Sequence, residues 1–291
     1  MNALYLILIV LGITAQHVTK KRYSQKNGGG TYSFAAISAL AAMLVFFVIS
    51  GGSLHFQASL LLYALGFAIT YGCSILFTYL AITEGPLSIT SLITSYSLLI
   101  PAVYGLIAWG EKFDLYFLIG IVLLAVSIFL IRMAPGKTEE SGGEQKKQFT
   151  AKWLICVLLA FVGSGGCTVV QREQQIAFEG GYKNEFMILA LVFVLISMLV
   201  CGLVFEKKQM PQNLKNSAPM AAIGGLANGG VNYLVMILSA RMDASQMFPI
   251  ISAGGILMAS ILSMTVYKEK LSTLQKIGLL LGIASIVVLN L

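Results

Sequence analysis

GFAITYGCSILFTYLAI at residues 66–82 and GGLANGGVNYLVMILSA at residues 224–240 are apolar stretches lying 158 positions apart, and their agreement decides how the rest of the chain is read. At that one shift Gly66 falls on Gly224 and Gly72 on Gly230. Further along, Glu111 falls on Glu269, Lys112 on Lys270 and Gly120 on Gly278, with no gap. The apolar tails Ile119–Ile131 and Ile277–Leu289 match in character. At the front, Leu11-Gly12 aligns with Val162-Gly163 at a shift of 151, so the intervening loops differ in length. Helices of similar composition produce chance matches. Coincidences at a single shift that include an adjacent Glu-Lys pair at a helix end point instead to duplication.

Working outward, the chain of 291 residues is 57% apolar and only 11% charged, against about a quarter charged in ordinary soluble domains. That is too little charge to cover a water-facing surface. The apolar runs are continuous and long enough for helices to cross ~30 Å of hydrocarbon at 1.5 Å per residue, and too long for alternating barrel strands. Hydropathy and loop breaks predict an all-α membrane protein with spans near 3–19, 31–50, 58–82, 87–109, 114–133, 152–171, 185–204, 217–240, 245–267 and 271–291. The first of these lacks a basic leader and a small-residue cleavage site, and reads as a retained helix.

Short polar connections such as Thr83–Pro86 and Glu111–Asp114 make neighbouring spans antiparallel. The one real linker is 134–150, which separates a first five-helix repeat, 1–133, from a second, 151–291. The net charge of +7 does not form a basic face with exposed aromatics, which argues against nucleic acid. Fourteen Lys and Arg residues fall on the side of the linker and of the loops after spans 1, 7 and 9. Four fall on the other side: Lys112, Arg172, Lys183 and Arg241. The positive-inside rule therefore predicts a multi-pass protein of the cell membrane with a cytoplasmic linker and both termini outside.

An odd number of spans per repeat makes the second copy enter the membrane from the opposite face. Inverted repeats of this kind place a binding site near the midplane and permit alternating access. Transport of a small molecule is the function this pattern favours.

Tyr79-Leu80-Ala81-Ile82, then Glu84-Gly85-Pro86-Leu87-Ser88, a polar span ending Trp109-Gly110-Glu111-Lys112, and Gly120 in a terminal apolar helix together resemble the EamA-type repeat of the drug/metabolite transporter superfamily. The resemblance covers nearly the whole chain as two repeats, and is specific to the superfamily and not to a substrate. It implies a ten-helix fold with a central cavity and export or exchange of metabolites such as amino acids. The second copy departs from the pattern at Met242-Asp243-Ala244 and in the placing of Pro249 relative to Pro101. The resemblance supplies neither a cofactor nor a coupling ion.

Polar residues inside spans are the candidates for function, because each must be satisfied within the bundle. Asn228 and Asn232 share one face of span 8, with Tyr233 adjacent, and correspond at the repeat shift to Thr70 and Ser74. They line a cavity or hold helices together. Tyr96 and Ser252, in spans 4 and 9, extend the candidate substrate-binding set. Pro101 and Pro249 each remove a backbone donor and are candidate kinks for gating. His17 is a candidate for proton coupling, although its neighbours Lys20, Lys21 and Arg22 suit a headgroup position better. No acidic or basic residue is placed at the middle of a span, which favours a neutral or zwitterionic solute.

Gly225 and Gly229, and Gly278 and Gly282, have the G-x-x-x-G spacing that lets backbones meet. For the latter pair both an interface between repeats and one between two copies of a homodimer remain open. Cys73, Cys156, Cys167 and Cys201 have no metal-ligand spacing and read as packing residues. An enzyme is disfavoured, since Asp114 and Asp243 are the only Asp residues, His17 and His55 the only His residues, and no P-loop is present. The closer alternative is a flippase for a lipid or lipid-linked metabolite.

Overall fold

The computed structural model describes residues 2–27, 30–84, 93–94, 96–110, 115–133, 151–265 and 272–288. Its described residues contain ten α-helices and no strand: α1 Asn2–Asn27, α2 Thr31–Ile49, α3 Leu60–Glu84, α4 Leu99–Ala108, α5 Leu115–Met133, α6 Ala151–Ala177, α7 Lys183–Phe205, α8 Met210–Ser239, α9 Ala244–Thr265 and α10 Thr273–Val288. The linker 134–150, the Gly85–Ser88 motif, Glu111-Lys112 and Glu269-Lys270 lie outside the described residues.

Among the described residues, six helical stretches are long and apolar enough to cross a membrane, and the apolar segments Leu99–Ala108, Leu115–Ser127 and Lys276–Ser285 are shorter. Burial is arranged inside out relative to a water-soluble protein. Ile107 is 80% exposed, Leu62 76% and Val48 75%, while Gln174 and Ser33 are fully buried. Apolar atoms outside and hydrogen-bonded polar groups inside is the arrangement that a hydrocarbon solvent selects.

Several helices run beyond the expected spans. α1 continues from Lys20 to Asn27, and α8 starts at Met210, seven residues before the expected 217, running through Pro219. α6 continues to Ala177. There Gln171, Arg172, Glu173, Gln174 and Gln175 are good helix formers, and the turn comes only at 178–180, with Glu179 at φ 49° and Gly180 at φ 76°. Arg172, expected in a loop, is therefore a helical residue only 6% exposed. In span 4, a 3-10 turn at Tyr96–Leu98 leads into α4, so Pro101 lies in the first turn of an α-helix. Its missing N–H would be without an intrahelical acceptor there, so the expected mid-helix kink is replaced by a helix start. Pro249 does lie inside α9.

The chain forms two compact units, each drawing helices from both repeats. The first comprises Met1–Gly72 and Val170–Arg241. Within it α2 packs against α7 and α8, and α1 against α8. A methyl group added at Gly225 would meet the Ser38 carbonyl and lie 2.7 Å from the Ala41 Cβ, and one at Gly229 would lie 2.9 Å from the Ala42 carbonyl oxygen. α8 thus meets the backbone of α2 through the predicted glycine pair.

α2 and α7, the second helices of the two repeats, run antiparallel in this unit and are joined at both ends. At one end Glu206, just beyond α7, accepts the Tyr32 N–H at 2.7 Å, the Ser33 N–H at 3.0 Å and the Ser33 hydroxyl. Asn213 of α8 donates to the same carboxylate at 3.1 Å. Gly30, the residue preceding α2, offers no side-chain cap of its own, so a carboxylate from another helix satisfies the orphan amides and meets the positive end of the helix dipole. Burial, and then the neighbouring Glu206 carboxylate, push the Tyr23 phenol up. At the other end Glu185 accepts the His55 N–H at 3.1 Å.

The second unit comprises Cys73–Val169 and Met242–Leu291. Its centre is the pair α5 and α10, the last helices of the repeats. Ser127 donates to the Gly278 carbonyl at 2.6 Å, and Ser285 to the Gly120 carbonyl at 2.8 Å. The 158-residue shift carries Ser127 onto Ser285 as it carries Gly120 onto Gly278, so the two bonds are reciprocal. Residue numbers rise along α5 as they fall along α10, which makes these repeat-equivalent helices antiparallel about a local two-fold. Gly282 faces the Ser127 hydroxyl, so a glycine of the second G-x-x-x-G pair meets the other repeat within one chain. Ser127→Ala and Ser285→Ala are each expected to cost about 1 kcal/mol, nearly equally, because each hydroxyl supplements a carbonyl of the partner helix. Thermal unfolding of both variants in detergent checks this; a cost confined to one of them contradicts the reciprocal geometry.

Candidate functional site

Three helices of the first unit bring amide side chains together. On α8, the face carrying Gly225 and Gly229 meets α2, while Val231 packs over Gly12 of α1. Asn228 and Asn232, one turn apart, lie between those two faces. Asn228 donates from its Nδ2 to the Gln16 Oε1 of α1 at 2.9 Å. Asn232 donates to the Asn228 carbonyl at 2.9 Å and to its Oδ1 at 3.1 Å. Gln171 of α6 donates to the Asn232 Oδ1 at 3.3 Å and to its carbonyl oxygen at 3.4 Å. The result is a continuous ladder, Gln16–Asn228–Asn232–Gln171, crossing from α1 to α6 by way of α8.

Gln171 is 2% exposed, whereas Asn228 and Asn232 are half-buried. Amides offer both donors and acceptors without charge, so the ladder can exchange internal hydrogen bonds for bonds to a polar solute at low desolvation cost. The Tyr233 ring meets Phe46 edge-on at 6.1 Å between centroids. Arg172, Gln174 and Gln175 are buried on the last turns of α6, and Gln174 donates to the Gly181 carbonyl at 3.2 Å. Lys183, expected in a loop, is the first residue of α7, and its ammonium donates to the Gly180 carbonyl.

The other expected site residues are placed as follows. Thr70, in the first unit, donates back to the Gly66 carbonyl of its own helix at 2.8 Å. Ser74, half-buried in α3, belongs to the second unit, as do Tyr96 and Ser252. Tyr96 donates its phenol to the Ala125 carbonyl of α5 at 3.0 Å, and Ser252 is buried in α9. Beside Tyr96, Ser97 donates to Ser164 of α6 at 2.9 Å. His17 belongs to α1, but its side chain lies outside the described residues.

The expected pairing of Asn228 and Asn232 on one face is thus present, with a structural role attached. What the sequence reading missed is that Gln16 and Gln171 complete them. The spacing of Gln171, Gln174 and Gln175 at i, i+3 and i+4 was a signal for one polar helical face. It was hidden by ending the span at 171.

The sequence pattern of the EamA-like transporter family matches residues 2–133 and 151–291. The chain belongs to the EamA-like transporter family. Two copies of the family repeat fill it, divided at the 134–150 linker, and the protein is accordingly a membrane transporter. A crystal structure shares the fold of this EamA-like transporter with a TM-score of 0.74 at 13% identity, over 99% of this chain and 95% of the other. No curated protein matches the chain.

Proposed function

We propose that this EamA-like transporter carries a small neutral or zwitterionic solute, of the size and polarity of an amino acid, across the cell membrane by alternating access between two inverted five-helix repeats. It acts as a secondary exporter or exchanger, with ten spans, a cytoplasmic linker and both termini outside. The observation that carries the reading is the antiparallel meeting of repeat-equivalent helices, α2 with α7 in one unit and α5 with α10 in the other. Inverted copies of one bundle supply two conformations of similar energy, which is what alternating access requires.

The solute site is assigned to the uncharged ladder on α8, with Asn228 and Asn232 as the recognising groups. Thermal stabilisation of the purified protein against amino acids, amines, nucleosides, sugars and lipid headgroups tests this, repeated with Asn228→Ala. A solute at a hundred times its Kd stabilises by about 2.7 kcal/mol. The expected result is a solute that raises the Tm of the parent and leaves that of the variant unchanged. Equal stabilisation of both removes the site from α8, and stabilisation by lipid headgroups alone favours the flippase.

A further inference from the structure

The two ends of the α2–α7 pair are related by the repeat, yet they are held with very different strength. Moving from one end to the other exchanges the roles of helix start and following loop. At the first end the loop after α7 supplies a carboxylate to the start of α2; at the second the start of α7 supplies one to the loop after α2. The contacts are not of equal number. Glu206 is the acceptor for Tyr32, for both donors of Ser33 and for Asn213, so it ties α2 and α8 together at the end of α7. Around it the Tyr23 and Phe34 rings meet at a tilt, 5.0 Å between centroids, and Tyr32 stacks on Phe205 at 5.4 Å. Among the described residues, Glu185 accepts one hydrogen bond, from the His55 backbone N–H.

The chemistry explains the imbalance. α7 carries Glu185 in its own first turn, where an acid offsets the dipole locally. α2 has no acid in its first turn and a glycine in front of it, and so depends on a carboxylate from elsewhere. Charge-assisted bonds are about twice as strong as neutral ones. Several of them on one carboxylate outweigh a single bond at the opposite end.

We propose that Glu206 is the lock that holds this end of the α2–α7 pair shut, so that the resting protein is closed there and opens first at the His55–Glu185 end. The locked end carries Lys207 and Lys208, so in the orientation proposed above it is the cytoplasmic end. Opening to that side requires the Glu206 bonds to break, which makes Glu206 a positioning residue of the transport cycle. This inference rests on the alternating-access reading above.

Double electron–electron resonance on the full chain in lipid nanodiscs tests it without any transported solute. In a background with the four cysteines replaced by alanine, one pair of spin labels at positions 31 and 208 spans the locked end. A second pair at positions 57 and 182 spans the other. In the parent the 31–208 distance distribution is expected to be narrow and the 57–182 distribution broader. Glu206→Gln, which keeps the shape and removes the charge, is expected to raise the longer-distance population of the 31–208 pair about tenfold and leave the 57–182 pair unchanged. Ser33→Ala, which keeps the acid and removes one donor, moves the same pair in the same direction by less, and reads the lock if Glu206→Gln fails to fold.

Equal widths for the two pairs in the parent overturn the proposal. So does a 31–208 distribution that neither variant changes, or a widening of both pairs alike, which is general loosening. Failure of the transport reading shows separately, as the absence of any solute that proteoliposomes accumulate.

Discussion

Gly225→Leu is expected to abolish the recovery of folded protein. The glycine lies where α8 crosses α2, and a Cβ there meets the Ser38 carbonyl and lies 2.7 Å from the Ala41 Cβ and 2.8 Å from the Ser38 Cα. Two of these three atoms are backbone. A flexible side chain could rotate aside, but a helix backbone can relieve the overlap only by moving the whole helix. Separating α2 from α8 would open the packing around Gly229 as well, where Val45 and the Ala42 carbonyl are equally close. Overpacking of this kind typically costs 1–3 kcal/mol, and the backbone contacts put this site at about 3 kcal/mol or above. Against a total stability of about 5–15 kcal/mol that is a large fraction. The measurement is the monodisperse fraction on size exclusion in detergent, with Gly72→Leu as the comparison. No atom lies within 4 Å of a Cβ built at Gly72, and that variant is expected to be recovered like the parent. Equal recovery of the two variants would contradict the close crossing.

Asn232→Leu is expected to have the largest effect on solute recognition. Leucine keeps the branched outline of asparagine with the same number of side-chain heavy atoms, though its methyl groups are bulkier, and it removes the hydrogen bonds. Two partners lose at once: Gln171 loses its side-chain acceptor, and Asn228 loses a donor to its Oδ1. Gln171 is 2% exposed and cannot turn to water. Interhelical hydrogen bonds in membranes contribute about 0.6 kcal/mol on average and up to about 1.7 kcal/mol; one of the lost bonds joins α6 to α8 and the other lies within α8, which sets the expected destabilisation at about 1 kcal/mol. Solute affinity is expected to fall more than tenfold, since a site built to hydrogen-bond its ligand discriminates strongly once a partner is removed. Calorimetric unfolding with and without the stabilising solute separates the two effects. A variant that loses stability but keeps the full solute-induced shift assigns the ladder a purely structural role.

The fold was largely legible because membrane insertion is read from local properties. Each span announces itself through some twenty apolar residues, and the duplication through Gly66, Gly72 and Gly120 matching Gly224, Gly230 and Gly278 at one shift. Helix ends were less legible. α6 runs on through Gln171–Gln175 because a polar run within a protein interior is still a good helix, whereas hydropathy reads polarity as a loop. For the same reason Arg172 was placed outside a span and is found buried in a helix.

The candidate site was legible by halves. Asn228 and Asn232 share a helical face by spacing alone, which needs only the 3.6-residue period. Their partners do not follow from any period: Gln16 lies 212 residues from Asn228, and Gln171 lies 61 from Asn232. Thr70, the counterpart of Asn228 at the repeat shift, turns its hydroxyl back to its own helix. Threonine can satisfy itself on the preceding turn, while an asparagine amide has more donors and acceptors than its own helix can use. The same repeat position therefore holds a crosslink in one copy and a locally satisfied hydroxyl in the other.

What the sequence determined by itself is the helical class, the duplication and the family, because hydrophobic length, residue spacing and self-similarity are carried along the chain. What only the tertiary structure decided is which helices meet and what they exchange: the amide ladder through α8, the reciprocal serine bonds of α5 and α10, and the Glu206 carboxylate at the start of α2. Each joins helices through residues far apart in the chain, from 61 positions for Gln171 and Asn232 to 212 for Gln16 and Asn228. Such contacts are fixed by the packing of small residues such as Gly225 and Gly282, which brings backbones close enough for one helix to satisfy another.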